Sequence, residues 1–96
     1  MEDLRRQTAI RAWISGRVQG VGFRWYVLRQ ARAQGLSGDV RNLADGRVEL
    51  RARGHAAELE QFLEAVRQGP PGARVDGLET RALDPSLVAD GFDVVR

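Results

Sequence analysis

Few side chains in this 96-residue chain stand where chemistry is expected, and most of them fall in one stretch, Gly16-Arg17-Val18-Gln19-Gly20-Val21-Gly22-Phe23-Arg24. Glycine loses more backbone freedom on folding than any other residue. Three glycines within seven positions therefore mark a backbone that needs positive φ or approaches something closely. An alternating stretch precedes this turn and a helical one follows it. The unpaired N–H groups of a helix start and the positive end of its dipole then converge at one point, a ready site for phosphate or carboxylate. Arg24 adds a planar fork of donors. A cation in a first helical turn is disfavoured by roughly 0.3–1 kcal/mol, and a bound anion reverses that sign. The stretch reads as an oxyanion cradle.

The elements that must position it follow from period and punctuation. Ile10, Ala12 and Ile14 alternate with Arg11, Trp13 and Ser15, predicting a half-buried strand over Thr8–Ser15. A helix over Arg24–Gln34 carries Phe23, Val27, Leu28 and Ala31 on its inner stripe, with Gly35 as the left-handed residue after it. Ser37–Leu43 is a second strand, Ala44-Asp45-Gly46 a hairpin turn, and Arg47–Arg53 a third strand with Val48, Leu50 and Ala52 facing inward. His55–Arg67 is a second helix, with Ala56, Leu59, Phe62, Leu63 and Val66 at helical spacing, stopped by Gly69-Pro70-Pro71-Gly72. Ala73–Leu83 is a long strand with a bulge or bend near Gly77; a loop and a short strand over Phe92–Val95 close the chain. The order is βαββαβ plus one extra strand: an α+β sandwich, an antiparallel sheet of four to five strands with two helices on one face. Residues 1–7 read as a flexible tail and residues 8–96 as one domain.

Asn42 is the second chemical candidate. It shares parity with Val40 and so points toward the helices, near the end of a strand that the hairpin brings toward the first helix. An amide there can aim a water molecule at an anion in the cradle. It can equally do no more than begin the hairpin turn, and spacing alone leaves both readings open.

Composition excludes several classes of function. Cysteine is absent, which removes disulfides and thiolate metal sites. His55 is the one histidine and cannot hold a metal alone; it reads as a surface residue at a helix start. The N-terminal seven residues lack the apolar core of a signal peptide. No apolar run nears the roughly 20 residues of a membrane span. The expectation is a cytoplasmic, soluble monomer without cofactor or metal. All fifteen basic residues are arginine, but the net charge of +2 is close to balanced, so nucleic-acid binding does not follow from charge.

The stretch from Gly16 to Arg24 resembles the signature loop of acylphosphatases, and Gly38-Asp39-Val40-Arg41-Asn42 resembles their second motif. Asp45-Gly46-Arg47-Val48-Glu49, Gly69-Pro70-Pro71-Gly72-Ala73-Arg74-Val75 and Gly91-Phe92-Asp93-Val94 extend the similarity from Ile10 to the C-terminus. The resemblance implies a ferredoxin-like fold and hydrolysis of a small acyl phosphate to a carboxylate and inorganic phosphate. It implies that Arg24 and the amides of Arg17, Val18, Gln19, Gly20, Val21, Gly22 and Phe23 hold the phosphoryl group, and that Asn42 positions the attacking water. Phosphate or sulfate is then expected to occupy the loop. The side chains of Arg17 and Gln19 are expected to shape the loop more than to bind. Asp39 stands where the family often has an aromatic residue, and Trp25 is placed to border the site.

Two rivals have other chemistry. The same topology serves RNA-binding domains, and the outer sheet face carries Arg11, Trp13, Arg47, Arg51 and Arg53. Glu49 and Asp39 share that face, and a single aromatic is fewer than such domains use. The other rival keeps the cradle without turnover, as a binding domain for carbamoyl phosphate like those in larger hydrogenase-maturation proteins.

Overall fold

A computed structural model describes residues 6–96, in the order β1 (Thr8–Arg17), α1 (Phe23–Ala33), β2 (Ser37–Asn42), β3 (Val48–Gly54), α2 (Ala56–Gln68), β4 (Arg74–Leu83) and β5 (Phe92–Val95), with a 3-10 turn at Pro85–Leu87. The sheet order is β4-β1-β3-β2-β5. Every neighbouring pair is antiparallel except β2 and β5, which are parallel, so the sheet is mixed rather than wholly antiparallel. The reason is topological. β4 and β5 occupy opposite edges, so the chain between them crosses one end of the sheet and β5 sets out in the same direction as β2.

The core lies between one sheet face and the helices. Ala12, Ile14, Val40, Val48, Leu50 and Ala52 pack there against Phe23, Val27 and Ala31 of α1 and Leu59, Phe62 and Val66 of α2. These are the positions that periods of two and of 3.6 select. Ala56, expected on the inner stripe of α2, is exposed because it sits in the first turn, beyond the sheet's cover. Phe62 meets Phe92 of β5 edge-on at 6.2 Å, which seats the closing strand on the core. Tyr26 donates its hydroxyl to the carbonyl of Ala65 at 2.8 Å and ties the two helices together.

The ends of α1 follow local chemistry. Gly35 has φ 69°, and the Leu36 N–H reaches the Ala31 carbonyl at 2.9 Å while its side chain enters the core, the bond and apolar contact of a glycine-terminated helix. In β4 the register against β1 slips between Ser15 and Gly16, which pair with Gly77 and Val75, so Asp76 is the bulged residue.

Of the tail expected over residues 1–7, residues 1–5 lie outside the described residues. Gln7 is buried, and its Oε1 accepts from Arg53 Nε at 2.9 Å. Arg53 itself does not face outward as an open cation. It is buried and donates also to the Val88 carbonyl, to Ser37 Oγ and to Asp90, because the connection from β4 to β5 folds over the strand end that carries it.

Candidate active site

β2 and β5 are parallel, and β3 relates both to β1 through antiparallel pairs, so β1, β2 and β5 all end at the same end of the sheet. Three separate segments meet there: the turn after β1, Asn42 at the end of β2, and Val95 at the end of β5.

The turn is anchored at both sides by apolar burial. Val18 is 1% exposed and Phe23 2% exposed, and burying each contributes about 1.5–3 kcal/mol. Between them Val21 also packs against the core, half-buried, while the glycines on either side of it leave open space. Gly20 and Gly22 both have φ 74°, and a side chain added at either would meet nothing within 4 Å. Glycine is needed here for its left-handed backbone and to leave the space in front open. Gly22 is the N-cap of α1, and no side chain caps this end; no acidic residue stands in its first turn. Among the described residues, no N–H from Gln19 to Trp25 donates to a backbone carbonyl. The donors and the helix dipole face outward together.

Gly16, counted with this loop from the sequence, belongs instead to β1. A Cβ there would lie 2.1 Å from the Arg74 carbonyl oxygen, so its glycine serves the close approach of β1 to the bulge in β4. Arg17 is likewise in β1, exposed, and opposite Arg74.

A cavity of about 140 Å³ opens over the turn, lined by Val18, Gly20, Gly22, Phe23, Arg24, Trp25 and Asn42. Arg24 and Asn42 are thus brought together as expected; Arg17, Gln19 and Val21 do not line it. The Arg24 guanidinium donates to the Val95 carbonyl at 3.0 Å, which fixes one side of the fork and leaves its other donors for an anion. Asn42 has the parity expected of it but is exposed into the cavity rather than buried, and its amide makes no hydrogen bond among the described residues. It therefore bears no desolvation cost that would demand a protein partner. Trp25 forms the rim, with the Arg96 guanidinium 5.9 Å from its ring centroid.

Three features of the site were not read from the sequence. The Val95 carbonyl and the Arg96 contact depend on where β5 pairs. The third is the set of partners of the Gln19 side chain, which was expected to shape the loop: its Nε2 donates to the carbonyls of Leu43 at 2.8 Å and Arg47 at 2.9 Å, across from the cradle to the β2–β3 turn. In that turn Asp45 accepts from the Arg47 N–H at 3.0 Å, and this bond draws its carboxyl below the usual range.

A wider hollow of about 510 Å³ lies against α2, but Glu60 and Glu64 on its wall oppose an anion. Much of the open sheet face is internally paired, although Arg11 has no partner among the described residues. Arg51 holds Asp39 through both carboxylate oxygens, Trp13 Nε1 donates to Glu49 at 2.8 Å, and Arg41 lies 3.7 Å from Asp39 and 3.8 Å from Glu49. Asp39 thus has its partner directly across the strand pair, on the face away from Asn42. Among the described residues no group of three or more histidines, aspartates or glutamates is arranged to hold a metal ion, and no helix is long and apolar enough to cross a membrane.

Comparison with known proteins agrees with this geometry. The family model described as acylphosphatase matches residues 10–94. A Rubrobacter xylanophilus protein named acylphosphatase is 44% identical over 94 residues, covering 98% of this chain and 86% of its own. One from Thermobifida fusca is 46% identical over 93 residues, covering 97% and 98%. The crystal structure of acylphosphatase from Bacillus subtilis superposes with a TM-score of 0.87 at 37% identity, covering 93% of this chain and 99% of that one. With the glycine turn, the first-turn arginine and the strand-end asparagine facing one cavity in a ferredoxin-like sandwich, this chain belongs to the acylphosphatase family, a hydrolase of acyl phosphates.

Proposed function

We propose that residues 8–96 act as one metal-independent catalytic domain, a cytoplasmic monomer, in which the cradle and Arg24 bind the phosphoryl group of a small acyl phosphate and Asn42 directs water at it. The observation that carries this reading is the shared cavity: outward N–H donors, a guanidinium and an unpartnered amide face one space. The non-bridging phosphoryl oxygens sit against the turn's N–H groups and the free donors of Arg24. Asn42 orients a water in line with the bond from phosphorus to the acyl oxygen. The water oxygen bonds to phosphorus, the bond to the acyl oxygen breaks, and the carboxylate leaves with the electron pair. The water's proton passes to a phosphate oxygen. A carboxylate is a good leaving group, so no side chain need act as general acid. Phosphoryl transfer asks chiefly for positioning and for charges aimed at the oxygens.

The paired charges of the sheet face and the burial of Arg53 argue against RNA as the partner. The test is hydrolysis of benzoyl phosphate by the purified chain, with and without EDTA. Turnover unchanged by EDTA is expected. Dependence on added metal would refute the mechanism, and binding of phosphate without any turnover would make the chain a binding domain.

A further inference from the structure

Gln19 does not line the cavity, yet its amide nitrogen is committed: Nε2 donates to the Leu43 carbonyl at 2.8 Å and to the Arg47 carbonyl at 2.9 Å. Its remaining oxygen is an acceptor, which an anion repels. The side chain therefore has nothing to offer a phosphate. Its two acceptors are the carbonyls where the hairpin closes. The Leu43 N–H donates to Arg47 O at 2.8 Å, and the Gly46 N–H to Leu43 O at 3.2 Å. Asn42 immediately precedes Leu43 and forms the last β2–β3 pair, with Val48.

The ladder joining β1 to β3 ends at Ile14 and Val48. Beyond that point the chain leaving β1 and the hairpin tip separate. Among the described residues, the hydrogen bonds that bridge them again are the two from Gln19. We propose that Gln19 is a positioning residue that clamps the phosphate cradle to the base of the β2–β3 hairpin and so holds Asn42 at the distance from the bound phosphoryl group that in-line attack needs. This rests on the roles of Arg24 and Asn42 given above. The Gln19 side chain acts through Asn42 and touches no substrate.

Benzoyl phosphate turnover and inhibition by inorganic phosphate are measured for wild type, Gln19→Met, Asn42→Ala and the double variant. Methionine keeps the volume of Gln19 and removes its donors. Gln19→Met is expected to lower kcat about 10- to 100-fold, the scale of misplacing a reacting group by an ångström, and to change the phosphate inhibition constant less than about threefold. Because Gln19 works through Asn42, adding Gln19→Met to Asn42→Ala should lower kcat no further than about twofold. Losses that multiply in the double variant, or phosphate affinity that falls with kcat, overturn the proposal while leaving the roles of Arg24 and Asn42 standing. Full turnover by Asn42→Ala overturns those roles and this proposal together. Gln19→Glu, which sets an acceptor against the two carbonyls without a change of shape, should be slower than Gln19→Met. A Gln19→Glu enzyme as fast as wild type would also overturn it.

Discussion

Replacing Arg24 by alanine should all but abolish the stabilisation of the fold by phosphate. A ligand at 100 times its Kd stabilises a fold by about 2.7 kcal/mol. In a domain this small each kcal/mol moves Tm by about 4–8 °C, so wild type should gain roughly 10–20 °C. The free donors of Arg24 make charge-assisted bonds to the anion, and their loss is expected to weaken binding about 100-fold. The same phosphate concentration then stands near Kd for the variant and yields about 0.4 kcal/mol, or about 2–3 °C. Without phosphate the variant loses the bond to the Val95 carbonyl, worth about 1.5–3 kcal/mol for a charged donor. It also sheds a cation from a helix N-terminus, which returns about 0.3–1 kcal/mol. The apo protein should therefore be modestly less stable. Calorimetric melts of both proteins over a phosphate series, beside their benzoyl phosphate turnover, provide the measurement. An equal phosphate-induced rise in both would refute the assignment of Arg24 to the anion, whatever happened to turnover.

Asn42→Ala should lose turnover by about 100-fold while phosphate inhibits it as strongly as wild type, since its amide aims water and does not grip the anion; parallel loss of both would make it a binding residue. Gly16→Ala should cost about 3 kcal/mol or more in chemical denaturation, because its Cβ would lie 2.1 Å from the Arg74 carbonyl oxygen at φ 125°. Arg53→Met should cost about 2–4 kcal/mol by leaving buried acceptors unpaired, yet retain benzoyl phosphate turnover below its melting point because Arg53 lies at the opposite end of the sheet from the cavity. Asp45, Asp76 and Asp84 all have lowered pKa values in the fold, from bonds with the Arg47 N–H, the Arg74 side chain and the Ser86 N–H respectively. Their contribution is complete above the unfolded carboxylate pKa near 4 and is lost as pH falls through the folded values. Tm should accordingly drop as pH falls below about 5, and Asp45→Asn should shrink that drop, whereas a Tm that rose with acid would contradict the sign.

What the linear order of residues determined by itself is whatever depends on near neighbours. Alternation around Ile10, Ala12 and Ile14, the helical spacing of Phe23, Val27 and Ala31, and the left-handed glycine after α1 each report forces acting over a turn or a strand pair. The glycine turn leading into α1 was legible for the same reason: Gly20, Gly22, the helix start and Arg24 are contiguous, and the mismatch between a cation and a helix N-terminus needs no knowledge of distant contacts. Asn42 was half legible, since parity gave its face but only the hairpin's register gave its exposure to the cavity. Tertiary structure alone decided the rest. Arg24 is fixed by a carbonyl 71 positions along the chain, Gln19 by two at separations of 24 and 28, and Arg53 is buried by a loop 35 positions away. The parallel seat of β5 beside β2, and with it the placement of Val95, follows from which sheet edge remained open after β4 took the other. A hydrogen bond between distant residues depends on the packing of everything between them, and no local pattern of side chains encodes that sum.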